Sequence, residues 1–144
     1  MVRYCLLVIF ATSFSCFLLA QKADDIVGFY YTIDPFSDEE SQVEIYKEKD
    51  GSYSGKVVWI KSEKNRKDEG YFFLWDLKYN EKDQEWQNGK IKYPGKPGTF
   101  DTYMKFEGNT STILGNRLKV RGYWKLGFLG KTVYWTKETK KRTH

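Results

Sequence analysis

Histidine and cysteine are nearly absent from this 144-residue sequence: the one histidine, His144, is the last residue, and the two cysteines are Cys5 and Cys16. A Ser-His-Asp or Cys-His nucleophile is therefore excluded, as is a nitrogen- or sulfur-ligated zinc, iron or copper site. Carboxylates, lysines, tyrosines and arginine remain for chemistry, and neither a cofactor nor a metal site is expected. Proline is scarce, and two of the three sit in Pro94-Gly95-Lys96-Pro97-Gly98, a rigid connection that cannot occupy a sheet centre. A strong charge excess is also missing, with Lys+Arg 24 against Asp+Glu 19. Basic residues alternate with acids in most segments, so no nucleic-acid partner is expected.

The chain opens on Met1-Val2-Arg3 and then runs from Tyr4 to Ala20 without a charge before Gln21-Lys22-Ala23-Asp24-Asp25. A basic start, an apolar run and a small residue at its end make a secretory signal, with cleavage expected near Ala20. A membrane anchor needs about 20 apolar residues, whereas this run is interrupted by Thr12, Ser13 and Ser15. A lipoprotein would keep Cys16 as its first residue, but Phe14 stands where small residues are needed. The expected organisation is a leader at 1–20 and a single domain at 21–144, secreted or periplasmic, with no stable membrane insertion after cleavage. Both cysteines leave with the leader, so the domain folds on its core without disulfides. At this size a domain buries roughly two-thirds of its unfolded surface, which suffices.

No stretch sustains a 3.6-residue apolar period, while short segments rich in aromatic and β-branched residues alternate with period two. The predicted class is all-β, an antiparallel up-and-down barrel of about eight strands. Strands are expected at Ile26 to Ile33, Ser41 to Glu48, Tyr53 to Ile60, Tyr71 to Tyr79, Glu85 to Tyr93, Thr99 to Phe106, Arg117 to Lys125 and Gly130 to Lys137. Asp50-Gly51 is the strongest turn signal, since a tight hairpin needs the positive φ that glycine adopts freely. Asn88-Gly89 marks a turn or a bulge, and Lys61 to Gly70 a solvated charged loop. A two-sheet sandwich would need long returns between sheets; the only long loops are at 34–40 and 61–70, so the meander barrel is preferred.

Alternation predicts a core of Val43, Ile45, Tyr53, Val57, Trp59, Phe100, Met104, Phe106, Leu118, Val120, Trp124, Val133 and Trp135. Glu44, Tyr46, Lys56, Lys119, Arg121 and Tyr123 fall on the opposite face of the same strands. Phe72-Phe73-Leu74-Trp75 is apolar on both faces, which suits a covered sheet edge, packing under a loop, or a contact with a second copy or an envelope protein through Phe72, Phe73 and Trp75. Acids at Asp34, Asp38, Glu39 and Glu40 lack the spacing of a calcium loop and are expected to be a solvated turn. Asn109-Thr110-Ser111, a glycosylation acceptor by sequence, is read as a turn. His144 and the basic tail from Lys137 to Arg142 are expected to be a fraying, solvated end.

At Glu44-Ile45-Tyr46-Lys47 and Asp50-Gly51-Ser52-Tyr53-Ser54-Gly55-Lys56-Val57-Val58-Trp59 the sequence resembles a family of uncharacterised bacterial secreted proteins, the domain of unknown function 2147. Asp25-Ile26-Val27-Gly28, Trp86-Gln87-Asn88-Gly89-Lys90-Ile91, Leu118-Lys119-Val120-Arg121-Gly122-Tyr123 and Gly130-Lys131-Thr132 with Trp135 extend the likeness over nearly the whole of 21–144. The resemblance implies a lipocalin-like barrel and a bacterial origin, but no activity. Family members usually carry tryptophan where this chain has Tyr30, arginine where it has Lys137, and a longer insertion after the third strand.

The residues expected to bind a ligand are Glu44, Tyr46, Trp59, Arg121, Tyr123 and Trp135. Arg121 would hold an acidic head group through its planar fork, with tyrosines and tryptophans supplying shape. The competing reading of these residues is structural: Arg121 bracing its strands, Glu44 paired with Lys56 across a solvent face, and the tryptophans in the core. Three functions follow for test: a non-enzymatic carrier of a small, mainly apolar ligand, an interaction module with a filled barrel, and a carboxylate-based hydrolase built on acids such as Glu44.

Overall fold

The computed structural model describes residues 21–107, 117–124 and 130–144. The expected leader with Cys5 and Cys16, and the Asn109-Thr110-Ser111 turn, lie outside the described residues. The strands are β1 (Gly28–Ile33), β2 (Glu40–Lys47), β3 (Tyr53–Ile60), β4 (Phe72–Asn80), β5 (Glu85–Ile91), β6 (Phe100–Glu107), β7 (Arg117–Tyr123) and β8 (Gly130–Glu138). Each pairs antiparallel with its chain neighbours, and β1 closes on β8 through Phe29↔Glu138 and Tyr31↔Thr136, making the closed meander barrel that the turn spacing predicts. The hairpin at Asp50-Gly51 forms as expected: Gly51 takes φ 87°, and the Asp50 carboxylate accepts the Ser52 amide at 2.9 Å. No helix among the described residues is long and apolar enough to cross a membrane.

Ile26 is not the start of β1. It ends a 3-10 helix, Ala23–Ile26, that plugs one end of the barrel with the Ile26 side chain fully buried. The plug is tied down because its carbonyls, unused by so short a helix, meet donors from the barrel. Trp86 Nε1 donates to Ala23 O at 3.0 Å, Tyr30 Oη to Ile26 O at 2.7 Å, and Lys137 Nζ to Asp25 O at 2.7 Å. Lys137 also lies over the Tyr30 ring, 5.9 Å from its centroid. Burial lowers the Lys137 pKa, with the Asp25 charge opposing the shift.

Bulges decide which side chains enter the barrel. In β3, Val43 faces Val57 but Gln42 faces Trp59, so Val58 is an extra residue. One inserted residue inverts the phase beyond it, which sends Ile60 inward and Trp59 to the outer wall, against the core expectation for Trp59. In β4 a second irregularity between Leu74 and Phe72 lets the consecutive residues Phe73 and Leu74 both be buried. That accounts for the strand's doubled apolar pattern: Phe72 and Trp75 are left stacked on the outer wall at 5.9 Å, and Phe73 is unavailable to any partner. Asn88, at φ 61°, sits in a further bulge opposite β6 and gives the bulge form of the Asn88-Gly89 expectation.

The tail does not fray. Residues 139–144 cross the outer wall over β1, β2 and β3 as a strap. Gln42, fully buried, donates to Lys140 O at 2.8 Å and accepts the Arg142 amide at 2.8 Å. Arg142 grips Glu138 with two nitrogens and lies over the rings of Tyr31 and Trp59 at 4.8 and 5.0 Å. His144 stacks on Trp59 at 5.8 Å and hydrogen-bonds Glu69. The alternative to solvation is this aromatic surface, which period-two alternation does not reveal because the bulge creates it.

Three carboxylates around the strap have depressed pKa values. Arg142 holds Glu138 down, and the Lys61 ammonium followed by the Tyr31 hydroxyl holds Glu40 down. At Glu69 burial pushes upward, but His144 and the Ile60 amide outweigh it. A carboxylate with a depressed folded pKa contributes stability above the unfolded value of about 4.3 and loses it as pH falls through the folded value. Acidifying from about pH 7 to about pH 3 is expected to lower the melting temperature and to red-shift Trp59 emission as the strap lifts. A spectrum and midpoint unchanged across that range would contradict the strap's dependence on these pairs.

Candidate functional site

Among the described residues the barrel is closed at the plug and open at the other end, where the connections at 34–39, 61–71 and 92–99 surround the mouth. Beneath it lies a cavity of about 290 Å³ with walls of Val43, Val57, Ile60, Phe73, Tyr93 and Trp135. Thr32, Ser37, Ser41 and Asn65 add hydroxyls and an amide at its upper margin, with Asp34, Glu39, Asp68 and Lys67 around the rim. The inward side chains come from several strands because residues paired across the sheet share a face: Leu118 is opposite Trp135, and Val43 is opposite both Tyr30 and Val57. Trp135 packs against two tilted rings, 6.1 Å from Tyr30 and 5.9 Å from Phe73.

The rim is ordered by its own carboxylates. Asp34 accepts the amides of Phe36 and Ser37 at 2.7 and 3.1 Å, while Glu39 accepts the Ser62 amide at 2.8 Å and so joins two of the mouth loops. These backbone contacts account for the acidic turn; among the described residues no group of three or more His, Cys, Asp or Glu is placed to hold a metal ion. Burial pushes the Tyr93 phenol up, with the Asp34 charge adding to it, so the hydroxyl stays protonated at the cavity edge.

Of the six residues expected to bind a ligand, Trp135 alone lines this cavity. Arg121 pairs with Tyr103 on one side and Thr132 on the other, on the face opposite Val120 and Met104, and donates to Thr132 Oγ1 at 3.0 Å. It braces neighbouring strands on the outer wall. Glu44 is opposite Lys56, with their charged atoms 3.7 Å apart, and Lys56 lies over the Tyr46 ring at 5.6 Å. Tyr123 meets Tyr103 at 6.4 Å on the outer wall. Trp59 lies under the strap, its buried indole nitrogen without a hydrogen-bond partner among the described residues. The structure thus brings together the core-phase residues and not the opposite face. In a closed barrel the side chains opposite the core face solvent, so an arginine in phase with Glu44 cannot reach the interior.

Several cavity residues were missed by the sequence reading. Ile60 and Phe73 enter through bulges, while Tyr93, Asp34 and Ser37 are brought to the mouth by loops. The aromatic character of Tyr93 beside the Pro94-Gly95 turn was the available signal.

A second cleft at the mouth, of about 210 Å³, is lined by Pro35, Phe36, Tyr93, Phe100, Gly122, Trp124, Gly130 and Lys131. Trp124, placed in the core by alternation, is 53% exposed here because it lies just beyond the end of β7. It stacks on Phe100 at 5.5 Å with the rings 9° apart.

Among solved structures the chain is similar to the Helicobacter pylori protein HP1028, described as belonging to the lipocalin family. The two are 21% identical, the likeness covers 79% of this chain and 83% of that one, and the TM-score is 0.59. It supports the fold. No curated protein matches the chain. The family described as an uncharacterized protein conserved in bacteria, DUF2147, matches residues 28–137, and by that match the chain belongs to it.

Proposed function

We propose that residues 21–144 form a single-domain, non-enzymatic carrier, secreted or periplasmic after removal of a 1–20 leader, that holds a small and mainly apolar ligand in the mouth cavity. The observation that carries this reading is the one-ended barrel: a plug tied at one end by Tyr30, Trp86 and Lys137, and by Tyr53, which donates to Asp24, and a cavity with aliphatic and aromatic walls beneath the open end. Apolar walls with a few polar groups at the margin are the usual chemistry of such sites, and about 290 Å³ is at the small end of their range. Three rim carboxylates against Lys67, with Arg121 on the outer wall, favour an uncharged head group over the acidic one expected from the sequence.

Calorimetric titration with decanol and decanoate is the test. Decanol is expected to bind saturably, and more tightly than decanoate. Ser41→Phe, which adds a ring at the cavity margin, is expected to weaken decanol binding at least about tenfold, since the ring occupies volume the chain needs. A correctly folded wild type that binds neither compound would remove the carrier reading. The exposed Phe72–Trp75 stack supports a second reading, contact with an envelope protein or a second copy; a concentration-dependent dimer that Phe72→Ser dissolves would favour it.

A further inference from the structure

We infer that the second cleft at the mouth is a binding site for a flat aromatic anion, distinct from the apolar cavity beyond Tyr93. Three observations carry this. The first is the wall: Phe36, Phe100 and Trp124 form a stacked row, with centroids 5.8 and 5.5 Å apart and planes inclined 30° and 9°. The end ring of the row, Trp124, is 53% exposed, and its outer face is open to offset stacking by another planar ring.

The second is charge. Lys131 and Lys96 bring their ammonium groups to 4.6 and 5.0 Å from the Phe36 centroid. Lys131 spends one N–H on Pro35 O at 3.1 Å, and neither lysine has a carboxylate within salt-bridge distance among the described residues. The segments outside the description, 1–20, 108–116 and 125–129, contain no Asp or Glu. Two cations beside an aromatic wall, with no acid assigned to them, select an anionic group, and charge-assisted hydrogen bonds are about twice as strong as neutral ones.

The third is the floor. Gly122 lines the cleft, its backbone is not in the left-handed region, and among the described residues no packing contact requires glycine there. A Cβ there would meet Phe100 Cβ at 3.7 Å, an ordinary contact. A branched side chain as large as leucine would extend into the cleft, so glycine here leaves that space open among the described residues. Gly130 differs, since a Cβ on it would stand 2.5 Å from Gly122 O.

The probe is 2-naphthoate, with uncharged 2-naphthamide as its isostere, followed by quenching of tryptophan emission in the full domain. Naphthoate is expected to quench saturably, to bind about tenfold more tightly than the amide, and to weaken as salt is raised. The Lys96→Gln, Lys131→Gln pair is expected to cost about tenfold in naphthoate affinity and to leave the amide unchanged. Gly122→Leu is expected to abolish both, and Ser41→Phe neither, which separates this cleft from the apolar cavity. Melting curves establish that each variant is folded, and the exposed lysine pair keeps the test available if Gly122→Leu is not. Equal affinity for acid and amide, indifference to the lysine pair, or loss of naphthoate binding in Ser41→Phe would each overturn the inference.

Discussion

Trp86→Ala is expected to lower the unfolding free energy by about 3–5 kcal/mol, the cost of deleting a large aromatic from a packed core. Trp86 is fully buried and does two things that alanine cannot. Its ring packs between Tyr79 at 5.0 Å and Phe106 at 5.5 Å, and its indole N–H anchors the plug at Ala23 O. Neither side of the resulting void can collapse easily, because strands on both sides are fixed by their ladders. Small domains are stable by about 5–15 kcal/mol, so the loss takes a large share of the total. Chemical denaturation should show a lower midpoint at a similar slope, and Trp86→Phe, which keeps much of the ring, should recover more than half of the difference. An alanine variant within about 1 kcal/mol of wild type would mean that the plugged end is not the packed end of the core.

Gly89→Val is expected to be the other large loss, at about 1–3 kcal/mol or more, the range for overpacking a filled interior. Gly89 is buried on β5, and a Cβ there would stand 2.7 Å from Leu77 Cδ1 and 2.8 Å from Thr102 Cγ2. Valine suits a strand, so intrinsic propensity does not contribute to the loss and the clash is isolated. Leu77→Ala, which alone removes a fully buried side chain, vacates the space the new methyls need. The double variant should therefore be more stable than the sum of the two losses, with a favourable coupling of about 0.5–3 kcal/mol. Strict additivity in denaturant melts would show that the backbone, not Leu77, absorbs the added volume.

Which residues reach the mouth was only partly legible. Val43, Val57 and Trp135 were identified as core by alternation and do line the cavity. Ile60 and Phe73 were not, because each follows from a bulge, and a bulge depends on the partner strand rather than on the bulged sequence itself. The placement of Arg121 has a different origin. Alternation puts it in the phase opposite Leu118 and Val120, and closure of the barrel turns that phase to solvent. The strap over Gln42 and Trp59 was invisible for the same reason as the Trp59 placement: the surface it covers exists only after β3 is bulged.

By itself the sequence determined what is local in physical terms. Period-two alternation and the turn chemistry at Asp50-Gly51 and Pro94-Gly95 act over a few residues, so eight strands in meander order could be read before any of them was seen paired. Tertiary structure decided everything that depends on register: which of two faces is inside, which end is plugged by Ala23–Ile26, and which aromatics gather at the open end. A strand's two faces differ by one residue of slip, a quantity set by the partner strand and by packing across the barrel, and no single segment encodes it.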